Sequence, residues 1–478
     1  MLKNRDFLQS DFGQTLKNSW TYLSGTVALK SLSIIGIPIM TRLLTEEDYG
    51  VLNIFASFVS MAPIVLALNT NVGVGRRYFE ADGDFKAYLG TSFMVSYGLI
   101  TIASVFMFFN AAWFADLLSI PEMTIFFIGP FAIRAINKSF HLQVFRAKSE
   151  PKKVRSLSLI SGYIGFVLGV SLVYFHPIEN RFMGQLWSGL IMTFLGSGII
   201  LYRLLPYIRL DFKWEHIRYM LSFGFPLLPS YLSSVVLAQF DRVMIGSYLG
   251  NGEAGQYSFA YNISMLQLML VNALYYSWEP KYFKYMKAKD YEQHDRDTLK
   301  LLSIASFSAC GLILFSDWIG YILGSESFHR SLYLIPIIVL GQFLLAINPI
   351  YKRHISFAKK TVYTSVVVLI CGALNIWLNS IFIPIYGSSA GAYTTVASYA
   401  LMFLLVYFIV RFVLKSHVTA LWKVLLNVAV VFSACAFYYI ELYVLKGGLL
   451  EAIFSKLLML LVCGFILLQP YLKPKKVG

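Results

Sequence analysis

From residue 16 onward the chain repeats one pattern: a run of about 20 apolar or small residues, the length a helix needs to cross a bilayer core, then a break rich in polar or turn-forming residues. Fourteen such runs predict membrane-spanning helices at 16–43, 49–74, 87–111, 121–145, 156–175, 182–204, 220–249, 255–278, 298–323, 331–351, 361–384, 390–412, 419–442 and 449–471. The breaks alternate in charge. One set is basic, for example Arg146, Lys148, Lys152, Lys153 and Arg155, whereas the other set contains only Arg42, Arg181, Arg330 and Lys446. Cationic loops stay on the cytoplasmic side, so both termini, basic through Lys3 and Arg5 and through Lys473, Lys475 and Lys476, are expected in the cytoplasm.

Composition agrees with that pattern. Mean hydropathy is +0.64, 57% of residues are hydrophobic and 14% are charged, too greasy for a soluble chain of this length. The net charge of +15 comes from residues strung between apolar segments. It does not gather into the single basic face that nucleic acid would require, and no nucleic-acid partner is expected. Cys310, Cys371, Cys435 and Cys463 fall in apolar runs without metal-like spacing, so they read as buried hydrophobes, with no metal or cofactor. No small-residue cleavage site follows the first run, and that helix is expected to be retained.

The outer breaks are short. The longest polar connections, 207–219 ("YIRLDFKWEHIRY") and 281–300, fall in the basic set, and the first interleaves aromatic with charged residues like a helix lying along the interface. The stretches "TRLLTEEDYGVLNIFA" from Thr41 and "GSYLGNGEAGQYSFA" from Gly246 each close a helix, turn through an acidic outer loop ending in Gly50 or Gly255, and open the next. "RRYFE" and "PKYFK" follow at nearly the same separation. The pattern predicts an all-α fold in which a six-helix unit is duplicated as a parallel repeat: a first lobe 1–206, an amphipathic linker 207–219, a second lobe 220–412 and two extra helices in 413–478.

The turn "TRLLTEEDYG", the segment "FPLLPSYLSS" opening the seventh span and "DRVMIGSYLGNGEAGQYSFAY" across the seventh and eighth resemble the bacterial polysaccharide transporters. These are the O-antigen and capsule-unit flippases of the multidrug/oligosaccharidyl-lipid/polysaccharide exporter superfamily. The resemblance implies two six-helix lobes around a central cavity. It also implies a chain that moves an undecaprenyl-pyrophosphate-linked oligosaccharide from the inner to the outer leaflet by alternating access, in membrane lipid, beside polysaccharide polymerase and chain-length regulator proteins.

Charged residues deep in the spans are expensive unless they face protein or a watery cavity. Lys30 in the first span, Arg134 and Lys138 in the fourth, and Asp241 and Arg242 in the seventh are the candidates. Arg134 and Lys138 are one turn apart on one face and follow Pro130. Four cations against one acid make a lining suited to a pyrophosphate, which Arg grips with two hydrogen bonds and Lys with a point charge. Asp241 either takes up and releases a coupling proton or sodium ion, or fixes a neighbouring helix, for instance through Lys30. Lys138 can instead reach the interface, and Glu441 and Lys456 are explained by snorkelling near helix ends. Asn137, Asn375, Asn379, Tyr257, Tyr261, Tyr275 and Tyr276 could contact sugar, although each is equally a packing residue.

Pro226 and Pro229 mark a bending point at the start of the seventh span. A membrane glycosyltransferase or polymerase is the rival from another class; its only carboxylate pair would be "DGD", Asp82 to Asp84, which also reads as a turn. A lipid II flippase is the nearer alternative, its cargo carrying the same pyrophosphate.

Overall fold

A computed structural model describes residues 11–80, 84–445 and 448–472. The terminal cations Lys3, Arg5, Lys473, Lys475 and Lys476, the loop residues Asp82 and Lys446, and the Tyr276 side chain lie outside the described residues. Among the described residues there is no strand. The chain is a multi-pass helical membrane protein and divides into two compact units, Met1–Gly255 and Gln256–Gly478.

In the first unit, α1 (Asp11–Leu43) and α2 (Glu46–Val65) are followed by the short α3 (Val74–Arg77), then α4 (Phe85–Phe109), α5 (Ala111–Leu118) and α6 (Glu122–Ala147). After these come α7 (Pro151–Phe175), α8 (Phe182–Leu204), α9 (Trp214–Gly224) and α10 (Leu228–Leu249). α11 (Asn251–Ala288) begins at the end of this unit and continues into the second. The second unit adds α12 (Tyr291–Leu314), α13 (Ser316–Leu323), α14 (Ile335–Ile347), α15 (Pro349–Phe357), α16 (Val362–Tyr386), α17 (Ser388–Phe408), α18 (Leu421–Ile440) and α19 (Leu449–Leu472).

Helices stand at all fourteen predicted places. Among the described residues, however, eleven segments are long and apolar enough to span a bilayer, or twelve if α5 and α6, bent by 94°, make one span. α1 and α11 are not among them. The apolar run of α11 carries no charge between Glu253 and Glu279 but is diluted by the uncharged polar residues Gln256, Asn262, Gln267 and Asn272.

The turns explain themselves locally. Thr45 caps α2, its side chain accepting from the Asp48 backbone N–H at 3.1 Å, with Glu46, Glu47 and Asp48 filling the positively polarised first turn. α2 ends two residues after Pro63, and the chain then passes through left-handed Leu68 and Asn69 before α3. Asp84 caps α4, accepting from the Ala87 N–H at 3.2 Å, and pairs with Arg209. That arrangement gives Asp84 a structural role, and the polymerase reading gains no support from it.

The segment 207–219, which lies inside the first unit, is clamped onto α4. Arg209 N donates to the Lys86 carbonyl at 3.0 Å, and Thr91 Oγ1 donates to the Asp211 carbonyl at 2.7 Å. A methyl group at Gly90 would sit 2.0 Å from the Arg209 carbonyl oxygen, so only glycine lets the linker approach. Leu210, Phe212 and Trp214 remain exposed, an apolar fringe that suits the membrane interface. α9 then runs through a 3-10 turn at Phe225–Leu227 into α10, so Pro226 and Pro229 do sit at a break in the helix.

Candidate functional site

α2 organises the candidate charges of the first unit, because α6 and α10 both pack against it. Along α6 the contact is parallel: Phe131 meets Phe55 edge-on at 5.1 Å, and farther along Asn71 Nδ2 donates to Ser139 Oγ at 2.6 Å. Along α10 it is antiparallel. A methyl at Gly50 would lie 1.9 Å from the Asn251 carbonyl oxygen, and one at Gly246 would lie 2.4 Å from the Ile54 side chain.

These contacts set the register. Arg134 is three residues beyond Phe131, and Arg242 is one turn before Gly246, so both come level with the neighbourhood of Phe58 on α2. That position is about 20 Å along the helix from the Thr45 turn at 1.5 Å per residue. Lys30, counted back along α1 from the same turn, falls at a similar depth. Three of the four candidate cations therefore share one level of the first unit, and Lys138 lies one turn beyond Arg134.

Their surroundings differ. Lys30 and Lys138 are exposed, and Arg134 is half-buried with Nη1 donating to the Gly189 carbonyl at 3.4 Å. That carbonyl also accepts from Thr193 Oγ1 at 2.8 Å. Gly189 leaves room at this spot for the Phe131 ring, which a methyl there would approach to 2.0 Å and push aside. Asp241 and Arg242 are both buried, 2% and 6% exposed, inside a run buried from Asp241 to Gly246. The Asp241 carboxylate accepts from the Arg242 backbone N–H at 2.9 Å. Arg242 thus stands on the packed stripe that also holds Gly246, while Arg134 and Lys138 are the more accessible cations.

A hollow of about 920 Å³ opens between α4, α6 and α8, lined by residues such as Tyr97, Phe126, Pro130, Ile133 and Phe194. It is almost wholly apolar and none of the five charged candidates lines it, so it is suited to hydrocarbon and not to phosphate. Most of the polar candidates serve packing. Asn137 accepts from Tyr97 OH at 2.8 Å, Asn379 Nδ2 donates to Asn375 Oδ1 at 3.2 Å, and Asn375 Nδ2 donates to Thr395 Oγ1 at 3.4 Å. Tyr257, Tyr261 and Tyr275 are buried.

The second unit corrects one expectation. Lys456 does not snorkel: it is 3% exposed, with Nζ 2.6 Å from Asp317 and 3.7 Å from Glu441, which is itself 9% exposed. Tyr438 adds its ring face 5.4 Å away. A cation this deep needs compensation, and Asp317, on a different helix, supplies it. Sequence alone separates Asp317 from Lys456 by five helical segments, and no periodic signal joins them.

At the basic-loop end of the first unit, Glu80 takes hydrogen bonds from Arg76 at 2.9 Å, Arg77 at 3.1 Å and Tyr219 OH at 3.0 Å. The Arg77 hydrogen bond, followed by those from Tyr219 and Arg76, holds the Glu80 carboxyl below the usual glutamate range against a smaller desolvation effect. The group ties α9 to α3 and keeps the linker in place.

The comparisons with known proteins fit this architecture. The chain is 25% identical over 355 residues to an Lsg locus protein of Haemophilus influenzae, covering 71% of this chain and 85% of that protein. It is 22% identical to the lipopolysaccharide biosynthesis protein WzxC of Escherichia coli, covering 78% of this chain and 75% of that one. Its fold matches a lipid II flippase MurJ in an inward closed conformation with a TM-score of 0.68, at 16% identity over 95% of this chain and 99% of that one. Residues 15–286, more than half the chain, match the polysaccharide biosynthesis protein family, and the chain belongs to that family.

Proposed function

We propose that this protein is a flippase that carries an undecaprenyl-pyrophosphate-linked oligosaccharide repeat unit, of the O-antigen or capsule type, across the bacterial cytoplasmic membrane. Both termini would face the cytoplasm, and polysaccharide polymerase and chain-length regulator proteins would act on the delivered unit. The observation that carries this reading is the common depth of Lys30, Arg134 and Arg242 in a member of the polysaccharide biosynthesis family. A pyrophosphate is rejected by hydrocarbon, and cations held in a low-dielectric surround attract it far more strongly than in water.

In this mechanism Arg134 and Lys138 make the first contact with the anion, because they are accessible. Arg134 would exchange its long bond to the Gly189 carbonyl for a bidentate grip on phosphate oxygens. Arg242, buried on the α2-facing stripe, supplies fixed positive potential and becomes a direct ligand only when α10 bends at Pro226 and Pro229. Asp241 binds the coupling proton or sodium ion, and its neutralisation weakens the hold on Arg242. In this reading the proton or sodium gradient supplies the driving force.

The test is complementation of a bacterial strain lacking its own repeat-unit flippase. The intact chain restores surface polysaccharide, and collapse of the proton and sodium gradients stops it. Surface polysaccharide unaffected by gradient collapse removes the coupling step. The likeness of fold to MurJ supports lipid II as a second cargo. Rescue of a strain depleted of its lipid II flippase, with no rescue of repeat-unit export, would select that reading.

A further inference from the structure

Three imidazoles and one carboxylate gather in the second unit, well away in sequence from the charges of the first. His294 and Asp295 occupy the first turn of α12, His417 lies in the connection between α17 and α18, and His354 is on α15. Asp295 is the centre. Its Oδ1 accepts from His294 Nδ1 at 3.0 Å and from Thr419 Oγ1 at 2.7 Å, and its Oδ2 accepts from His417 Nε2 at 3.1 Å. Tyr351 OH donates to the Thr419 carbonyl at 3.0 Å, and Tyr291 stacks on the His417 ring at 4.3 Å, so the connection is held from both sides.

Beside this group is a set of buried polar atoms that make no hydrogen bond. His294 Nε2, both ring nitrogens of His354 and Tyr282 OH are all in this state. His294 is fully buried and His354 is 1% exposed. The rings lie together, with His354 centred 5.6 Å from His294 and 5.2 Å from Tyr282. Buried imidazole nitrogens without a partner are uncommon and call for an explanation.

We propose that His294, Asp295 and His417 form a binding site for a divalent transition-metal ion of the zinc type, which clips the connection between α17 and α18 to the first turn of α12. One donor atom from each of the three residues lies within 4.8 Å of the others. The 3.0 Å separation of His294 Nδ1 from Asp295 Oδ1 approaches the edge of a tetrahedron with bonds of about 2.0–2.1 Å, roughly 3.3 Å, and a small rotation of the half-exposed His417 side chain brings its Nε2, now 3.1 Å from Oδ2, toward the same ion. Two neutral imidazoles and a carboxylate suit such an ion, and three protein ligands leave a fourth position for water.

The proton balance closes without an outside base. When the metal takes His294 Nδ1, the ring proton moves to Nε2 and stays there, where it can donate a hydrogen bond to an unpartnered nitrogen of the adjacent His354. His417 likewise passes its proton from Nε2 to Nδ1 on a side chain that is 33% exposed. Both imidazoles stay neutral, and the single negative charge of Asp295 faces the cation. His354 is the partner that orients a ligating histidine, a role that commonly changes affinity by about 10–100-fold when removed.

The test uses the full chain, purified in detergent without a polyhistidine tag, stripped with chelator and titrated with Co²⁺. The expected result is one equivalent of bound Co²⁺ per chain with the visible absorption of a tetrahedral site, displaced by Zn²⁺. His417→Ala and Asp295→Asn should abolish the band, and His354→Ala should keep the stoichiometry but weaken binding about tenfold or more. His417 lies in a connection outside the helices, and a monodisperse elution profile for His417→Ala shows that folding is intact. No tetrahedral Co²⁺ band in the intact chain, or an unchanged band in monodisperse His417→Ala, overturns the proposal. Metal binding is read independently of transport, so failure of the flippase reading would leave this result untouched.

Discussion

Gly50 and Gly255 face each other backbone to backbone: a methyl on Gly50 would lie 1.9 Å from the Asn251 carbonyl oxygen and 3.0 Å from Gly255 N, and one on Gly255 would lie 2.0 Å from the Glu46 carbonyl oxygen and 3.1 Å from Gly50 N. The contacts are reciprocal. Glu46 and Asn251 are separated along the chain by the same interval as Gly50 and Gly255, so each glycine receives the carbonyl at the start of the other's helix. Self-complementary contact of this kind is what a two-fold relation between like elements produces. The two acidic turns that resemble each other in sequence are therefore packed together.

Substituting either glycine by alanine forces backbone apart, because the clashing atoms are carbonyl oxygens that cannot swing aside like a side chain. Gly50→Ala and Gly255→Ala are each expected to destabilise the protein by about 1–3 kcal/mol or more. Gly252→Ala, whose methyl would meet only the Glu47 side chain at 3.7 Å, should be close to neutral. Thermal unfolding of the three purified variants in detergent gives the ranking.

The buried Lys456 group makes a second prediction. Lys456→Ala leaves Asp317 and Glu441 facing each other without a cation, and loss of one member of a buried pair costs about 3–5 kcal/mol. Replacing Lys456 and Asp317 together by Met and Leu should recover part of that loss, since only Glu441, 9% exposed and accepting from Ser455 Oγ, is then left without the cation. Melting temperatures of the single and double variants test the coupling.

Acid should loosen the linker through Glu80. Its folded-state pKa is lowered by Arg77, Tyr219 and Arg76, so the stabilisation is fully present above the unfolded glutamate value of about 4.3 and fades as pH falls through the lower folded value. The stability difference between the intact chain and Glu80→Gln should be constant from neutral pH down to about 5 and shrink below about 4. Melting curves of both proteins across that range measure it, and a difference that grows with acid would reverse the sign of the argument.

The membrane class, the helix positions and the acidic turns were legible because each is local: a 20-residue apolar run and an acidic loop ending in Gly50 or Gly255 leave marks in a short window. The broken seventh span was also legible from Pro226 and Pro229. Long-range pairing was not. Asp84 with Arg209, Asp317 with Lys456, and Asp295 with His417 join residues that no periodicity connects, and His294, His354 and His417 stand about 60 residues apart, a spacing that carries no local metal-binding signature. The count of fourteen spans is less secure at α11, a continuous 38-residue helix whose apolar stretch is interrupted by Gln256, Asn262, Gln267 and Asn272. Arg242 read as a cavity residue from its charge. Its burial on the stripe of Gly246 shows that depth alone does not determine which way a side chain faces.

The most direct measurement of the central claim is flipping of a lipid-linked oligosaccharide pyrophosphate by the purified chain in liposomes under an imposed ion gradient, comparing the intact protein with Arg134→Ala and Arg242→Ala. At least a tenfold loss of rate is expected for each variant, about 1.4 kcal/mol or more of lost stabilisation, with melting behaviour preserved for Arg134→Ala. Intact-chain rates in both well-folded variants would contradict it.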